Sequence, residues 1–348
     1  MNDLIVKEQG HVGRITLNRP KALNALTHDM CKVIEKYLNL WLADENIRVI
    51  VFDAIGGKAF CAGGDITEMY KRGKAGDLDY GHAFWRDEYR LNAKIFNYPK
   101  PVASFLNGFT MGGGVGIGCH GKHRIVGESS RIAMPECTIG LVPDVGGSYI
   151  LANAPGHLGE FHGLTGTRMG PAEAIIVGFA DHFIPEQHWE QVKEELSSAG
   201  DIKVINNFID GPDPNIDLLS TRELIDQVFS LGTIGEIESA LLELGTEWSK
   251  DALKKIYRNS PLALACALQL IRDQRHSKSI EEALDLEFRF TFRSARYSDF
   301  IEGIRAQVID KDFKPGWKHS SLREVAGSEV DFMLGPLGNQ SLKWKEVQ

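Results

Sequence analysis

Glu136 and Asp144 stand eight residues apart in the stretch Ala133-Met134-Pro135-Glu136-Cys137-Thr138-Ile139-Gly140-Leu141-Val142-Pro143-Asp144-Val145-Gly146-Gly147. Either acid alone would be commonplace on a surface. Among Met134, Pro135, Ile139, Leu141 and Val142, however, an acid is expected to be buried. Burial raises a carboxyl pKa towards the range where it can transfer protons. Two such acids can divide roles, one acting at a carbonyl and one orienting a substrate hydroxyl or a water.

Glycine is the second signal. Of 36 glycines, 24 fall between Gly56 and Gly178, in a stretch that is otherwise of ordinary complexity. Two glycine-rich loops each follow an apolar run that reads as a buried strand. Phe60-Cys61-Ala62-Gly63-Gly64-Asp65 follows Val49–Phe52, and Gly108–Gly114 follows Pro101–Leu106. Loops at strand ends are where α/β folds build sites. One free backbone N–H from each loop would make an oxyanion hole. The same glycines would equally permit close helix packing. Neither loop is a P-loop, since no Gly-Lys-Ser/Thr follows, and Gly112–Gly116 lacks the spacing of a dinucleotide fingerprint.

These residues need an α/β framework to position them. Leu4–Glu8 and Val12–Leu17 read as a hairpin around Gln9-Gly10-His11. Thr27 caps a predicted helix running to about Leu42. Val49–Phe52 reads as a strand buried on both faces, Gly56–Asp65 as a loop, and Phe84–Phe96 as an amphipathic helix. The strand Pro101–Leu106 precedes a glycine-rich helix at Met111–His120, followed by strands at Arg124–Val126 and Arg131–Met134. Helices at Gly147–Ala152, Leu158–Leu164 and Pro171–Gly178 lead to a strand at Ala180–Ile184. Beyond Pro185 helical periodicity dominates. Thr233 with Glu236 and Ser279 with Glu282 fit capping boxes, and Ser260-Pro261 fits an N-cap followed by an N1 proline. The expected organisation is an α/β core over 1–200 and a helical region over 201–348.

Composition narrows the function classes. The chain has 348 residues, 43% hydrophobic and 25% charged, as expected for a globular protein rather than a disordered or rod-like one. Its net charge of −8, with Lys and Arg dispersed, disfavours a nucleic-acid partner. No apolar run approaches the ~18 residues of a membrane span. Met1–Gly10 has neither an apolar signal region nor an Arg-rich, acid-poor transit character. Five cysteines without a Cys-x-x-Cys suggest neither a disulfide framework nor a zinc site, so a reducing, cytoplasmic setting is expected. No metal is expected. His120 and His123 lack the spacing of catalytic histidines and are read as structural.

Together these motifs resemble the crotonase, or enoyl-CoA hydratase/isomerase, superfamily. Lys58-Ala59-Phe60-Cys61-Ala62-Gly63-Gly64-Asp65-Ile66 looks like its first oxyanion-loop motif, and Asn107-Gly108 through Gly112-Gly113-Gly114 like its second. Arg19-Pro20-Lys21-Ala22-Leu23-Asn24-Ala25-Leu26 looks like the segment lying along the CoA moiety. The three occur in the family's order and spacing. Trp85–Tyr89, Thr110–Gly118, Met134–Gly147, Glu302–Ala306 with Ile309–Asp312, and Trp317-Lys318 are similar to the 3-hydroxyisobutyryl-CoA hydrolase branch, and the resemblance covers nearly the whole chain.

The resemblance implies a spiral of strand–strand–helix repeats with two roughly perpendicular sheets, then helices that cover the site and often build homo-oligomers. It implies oxyanion donors at Gly64 and Gly113, catalytic roles for Glu136 and Asp144, and substrate contact by Glu88. CoA contacts are implied at Lys21, Ala22, Ala62, Asp65 and Ile66. The implied substrate is a short acyl-CoA, with CoA as part of the substrate and no separate cofactor. Hydratases of the family use two glutamates, one soon after the triple glycine and one matching Glu136. Here the former position is Gly116, which disfavours hydration, and Asp144 supplies a second carboxylate as in the hydrolase branch. The competing expectations are a hydratase or isomerase acting on another acyl-CoA, or a non-catalytic scaffold of the same fold.

Overall fold

The computed structural model describes residues 3–213 and 216–344. The hairpin forms as the alternation predicts: β1 (Leu4–Gln9) pairs antiparallel with β2 (Val12–Leu17). The Thr27 hydroxyl accepts the Met30 N–H and caps α1 (His28–Ala43). Next come β3 (Val49–Ala54), β4 (Ala59–Cys61), α2 (Thr67–Lys74) and α3 (Asp79–Phe96). The pattern continues with β5 (Val102–Phe105), β6 (Phe109–Met111), α4 (Gly113–Gly118), β7 (His123–Val126) and β8 (Arg131–Ala133). Helices α5 (Gly147–Ala152), α6 (Leu158–Thr165) and α7 (Pro171–Val177) precede β9 (His182–Phe183) and α8 (Trp189–Ala199).

From β3 onwards successive strands alternate between two sheets. One has the order β1-β2-β3-β5-β7-β9, parallel after the first pair, and the other is parallel with the order β4-β6-β8. Each turn of the spiral therefore leaves one strand in the large sheet and the next in the small one. On one face of the large sheet Val49, Val51, Ala103, Phe105 and Ile125 pack on Trp189, Val192 and Leu196 of α8. The alternating residues Ile50 and Phe52 are also fully buried, so a continuous apolar run is required here.

Two local expectations are corrected. The Gly56–Asp65 loop contains strand β4, and the glycine-rich helix begins at Gly113 because the run's start, Phe109–Met111, is β6. Both strands are three residues long, too short to show a period-two pattern. Gly112, at φ +46°, makes the turn from β6 into α4. The mostly polar α2 buries only Met69 and carries little periodic signal.

After α8 come α9 (Ile216–Phe229), α10 (Ile234–Leu244), α11 (Glu247–Tyr257), α12 (Pro261–Gln274), α13 (Ile280–Tyr297), α14 (Phe300–Ile304) and α15 (Gly327–Leu334). No strand follows β9 among the described residues. Thr233 and Glu236 form the expected capping box of α10, and Ser260 caps α12 ahead of Pro261. Ser279 caps α13, but the Glu282 carboxylate accepts the Lys278 N–H instead of that of Ser279.

Contacts group the chain into two compact units, each drawn from separate stretches of sequence. The first comprises Met1–Gly64, Asp87–Ala133 and Arg168–Ile216, and the second Asp65–Arg86, Met134–Thr167 and Asp217–Gln348. The first holds both sheets. In the second, α5 and α6 from mid-chain pack on α12, which is why they group with the C-terminal helices. All five cysteines are free and buried, divided between the units.

Asn24 ties the segment before α1 to the strands. Its side chain accepts the Arg19 N–H at 2.8 Å and donates to Ile55 O at 3.1 Å and Ala59 O at 2.9 Å. It does so at φ +56°, a conformation asparagine tolerates better than most residues. We expect Asn24→Ala to lower unfolding free energy by about 2–3 kcal/mol, since buried partners lose their hydrogen bonds. Urea unfolding followed by circular dichroism checks this, and an unchanged midpoint would contradict it.

Candidate active site

In the first unit the two glycine loops converge. Gly113 is the first residue of α4, so its N–H has no intrahelical acceptor. A Cβ placed on Gly113 would lie 3.3 Å from the Gly64 nitrogen, 2.8 Å from Glu88 Oε1 and 3.4 Å from Leu26. The Gly64 N–H and the start of α4 are thus within one side chain's width of each other. That is the spacing two donors need to share one oxygen. The packing role of glycine is met at neighbouring positions: a Cβ on Gly114 would strike the Cys61 carbonyl, and one on Gly118 would press on Phe60 and Leu106 at 2.7 Å.

Glu88, on α3, is 3% exposed beside this pair. Its charge also reaches the Cys31 and Cys61 thiols, which burial already pushes up, to about 12 for Cys61. The Arg19–Leu26 segment is laid against the first glycine loop by main-chain bonds, Leu26 N–H to Gly63 O at 2.9 Å and Ala62 N–H to Leu23 O at 3.0 Å. Lys21 and Ala22 are exposed on a short turn. Lys21 and Lys58 line a cavity of about 410 Å³ with Pro20, Gly56 and Gly57.

The second unit carries the acids. Glu136 opens a single turn, Glu136–Ile139, that Gly140 ends at φ +71°. Its carboxyl is buried, and Oε2 has no hydrogen-bond partner. Burial, then the nearby Asp144 charge and, more weakly, that of Glu287, hold Glu136 well above the ordinary carboxylate range. Asp144 is 4% exposed and sits before a turn in which Val145 has φ +53° and Gly146 φ +79°. Its carbonyl accepts the Gly147 N–H at 2.7 Å.

Glu287 is a buried acid that sequence reasoning missed. It comes from α13 and is fully buried. The signal was present: Ile280, Ala283, Leu284, Phe288, Thr291 and Ser294 form the inward stripe of α13, and Glu287 falls within it. The structure thus brings Gly64, Gly113, Glu88, Lys21, Ala22 and Ala62 into one unit, and Glu136 and Asp144 together in the other. Asp65 and Ile66 also belong to the second unit, just ahead of α2. His120 packs edge-on against Phe96 and His123 stacks on His182. No group of three or more metal-ligating side chains occurs among the described residues.

A strand-alternating spiral, glycine loops that bring backbone donors together and a buried acid pair are features of the crotonase class of proteins. The sequence pattern described as enoyl-CoA hydratase/isomerase matches residues 12–334, and the chain belongs to that family. A relative from Danio rerio, named mitochondrial 3-hydroxyisobutyryl-CoA hydrolase, is 37% identical over 98% of this chain and 92% of its own. Among solved structures, an enoyl-CoA hydratase from Rhodobacter sphaeroides is 49% identical, with a TM-score of 0.94 over 98% of this chain and 100% of that one. A carnitinyl-CoA dehydratase from Mycobacterium thermoresistibile is 37% identical at the same TM-score, over 99% and 100%.

Glu136 has a consequence for stability. Its folded pKa is raised, so folding favours the protonated form. That contribution is complete below the unfolded carboxyl pKa and is lost as pH rises through the folded value. Glu136→Gln is therefore expected to melt a few degrees higher than the natural protein at neutral pH. The gain should vanish below about pH 4, the ordinary glutamate range. Thermal melts at both pH values check this, and a gain that persists in acid would contradict it.

Proposed function

We propose that this protein hydrolyses the thioester of 3-hydroxyisobutyryl-CoA to 3-hydroxyisobutyrate and free CoA, a step of valine breakdown. The observation that carries the reading is the buried, neighbouring pair Glu136 and Asp144, in a chain whose glycine-rich helix has Gly116 instead of an acid. The substrate name comes from the Danio rerio relative, which is similar to this chain over nearly its whole length.

In this reading the N–H groups of Gly64 and Gly113 hold the thioester oxygen as it becomes negative. Such a donor is typically worth about 10²–10³ in rate. Glu136 acts as the ionised carboxylate. It either attacks the carbonyl carbon to give a mixed anhydride that water then opens, or takes a proton from a water that attacks directly. In both routes the carbon–sulfur bond breaks, an oxygen of water ends in the acid, and the thiolate of CoA is protonated. A burst of CoA ahead of free acid marks the anhydride route. Asp144 accepts the substrate's 3-hydroxyl and assists the proton transfer. An acyl group lacking that hydroxyl leaves the buried acceptor unpaired and is disfavoured. Glu88 contacts the acyl part beside Gly113. CoA runs along Lys21, Ala22, Ala62, Asp65 and Ile66, with Lys21 near its phosphates. Water alone balances the reaction, so the reading assigns no further cofactor or metal.

We place the enzyme in the cytoplasm, with five free buried cysteines as support; the Danio rerio relative is named mitochondrial, and cell fractionation decides. A homo-oligomer is part of the proposal, supported by the exposed Leu242 and Phe332 on the C-terminal helices and tested by light scattering.

A thiol-release assay over a panel of acyl-CoA thioesters, including 3-hydroxypropionyl-CoA, tests the substrate. Glu136→Ala and Asp144→Ala should abolish CoA release while leaving the fold intact, and near-normal turnover in both would sink the assignment. Gly113→Ala should lower kcat on the order of 10²-fold, because its Cβ intrudes beside the oxygen site. The second reading is hydration of an enoyl-CoA, favoured by the description of the Rhodobacter sphaeroides structure. Faster hydration of crotonyl-CoA than release of CoA from 3-hydroxyisobutyryl-CoA would select it.

A further inference from the structure

The turn that carries Asp144 is held in an unfavourable conformation. Val145 is β-branched and buried, yet adopts φ +53°, where a branched side chain clashes with its own backbone. Gly146 follows at φ +79° and starts α5 without any side-chain cap. Such a turn persists only where its surroundings over-determine it. One set of such contacts comes from α13. Glu287 Oε2 accepts the Gly146 N–H at 2.8 Å, and Oε1 accepts the Ser148 N–H at 3.2 Å and the Ser148 hydroxyl. A carboxylate 141 residues away in sequence thus takes the place of the missing cap and grips the two N–H groups that flank Gly147.

We propose that Glu287 is a positioning residue for Asp144. Its carboxylate clamps the N-terminus of α5 and so holds the Val145–Gly146 turn in the one conformation that presents Asp144 to the substrate's 3-hydroxyl. The inference rests on the reading of Asp144 as the acceptor of that hydroxyl. Glu287 is fully buried, and its hydrogen-bond partners at Gly146 and Ser148 are two N–H groups and a hydroxyl. Its hydrogen bonds and a nearby Asp144 charge are what it contributes and feels. A simple packing role would be filled better by an apolar side chain of the same size, without the expense of burying an acid.

Glu287→Gln tests this, since the amide turns an NH₂ towards donors and releases one arm of the clamp. The readout is the preference for 3-hydroxyisobutyryl-CoA over isobutyryl-CoA, expressed as a ratio of kcat/KM values. The ratio is unaffected by a loss of folded protein. In Glu287→Gln the preference should collapse, with activity on the hydroxylated substrate falling on the order of 10²-fold, as for a misplaced catalytic group. Adding Val145→Gly should restore much of the preference, because glycine adopts φ +53° without a clamp. Asp144→Asn is the reference. If it collapses the preference and Glu287→Gln does not, the clamp is refuted while the role of Asp144 stands. If Asp144→Asn itself leaves the preference intact, the hydroxyl reading fails and the clamp fails with it. Should Glu287→Gln not fold, Ser148→Ala removes the hydroxyl donor alone and keeps both N–H donors. An intermediate preference then supports the clamp, and an unchanged one overturns it.

Discussion

Three carboxyl groups, Glu136, Asp144 and Glu287, are buried within one compact unit and act on one another through their charges. For Glu136 and Glu287 burial favours the protonated form, and the nearby Asp144 charge adds to that. Glu287 is pushed up to about 8 by burial and by Asp144, and the two N–H groups and the hydroxyl it accepts pull the other way. Glu136 Oε2 has no hydrogen-bond partner, and burial, then the Asp144 charge, holds this carboxyl well above its ordinary range.

The first unit gathers backbone N–H dipoles instead of charged groups, where β4 and β6 end and α4 begins. Dipoles held by a sheet need no reorganisation as charge develops on an oxygen. The spiral supplies that rigidity. Alternating strands between two sheets places the ends of β4 and β6 side by side, since those two strands are neighbours in the small sheet. The close approach then demands glycine at Gly113, Gly114 and Gly118 for reasons of space.

The elements with many repeated contacts could be read from residue pattern. The hairpin, α1 with its Thr27 cap, the doubly buried β3 and the capped C-terminal helices all carry a period or a cap that spans several residues. What escaped detection was short or non-local. Strands β4 and β6 are three residues each, and their pairing partners lie far along the chain. The grouping of separate stretches into one unit follows from α5 and α6 docking on α12, a contact with no local sequence signature. For the site, Glu136 and Asp144 stood out because acids among apolar neighbours in sequence are conspicuous. Glu287 did not, because its apolar company is arranged around a helix rather than along the chain.

The buried thiols give the molecule an optical property. Cys31, Cys61, Cys119, Cys137 and Cys266 are all out of solvent, and burial pushes each well above the usual thiol range. A chromogenic disulfide reacts with thiolates that it can reach. The native protein should therefore be nearly colourless in such a reagent, whatever its concentration, and any colour formed during turnover reports liberated CoA alone. Denatured chains would instead contribute all five equivalents, so the same cuvette distinguishes catalysis from unfolding.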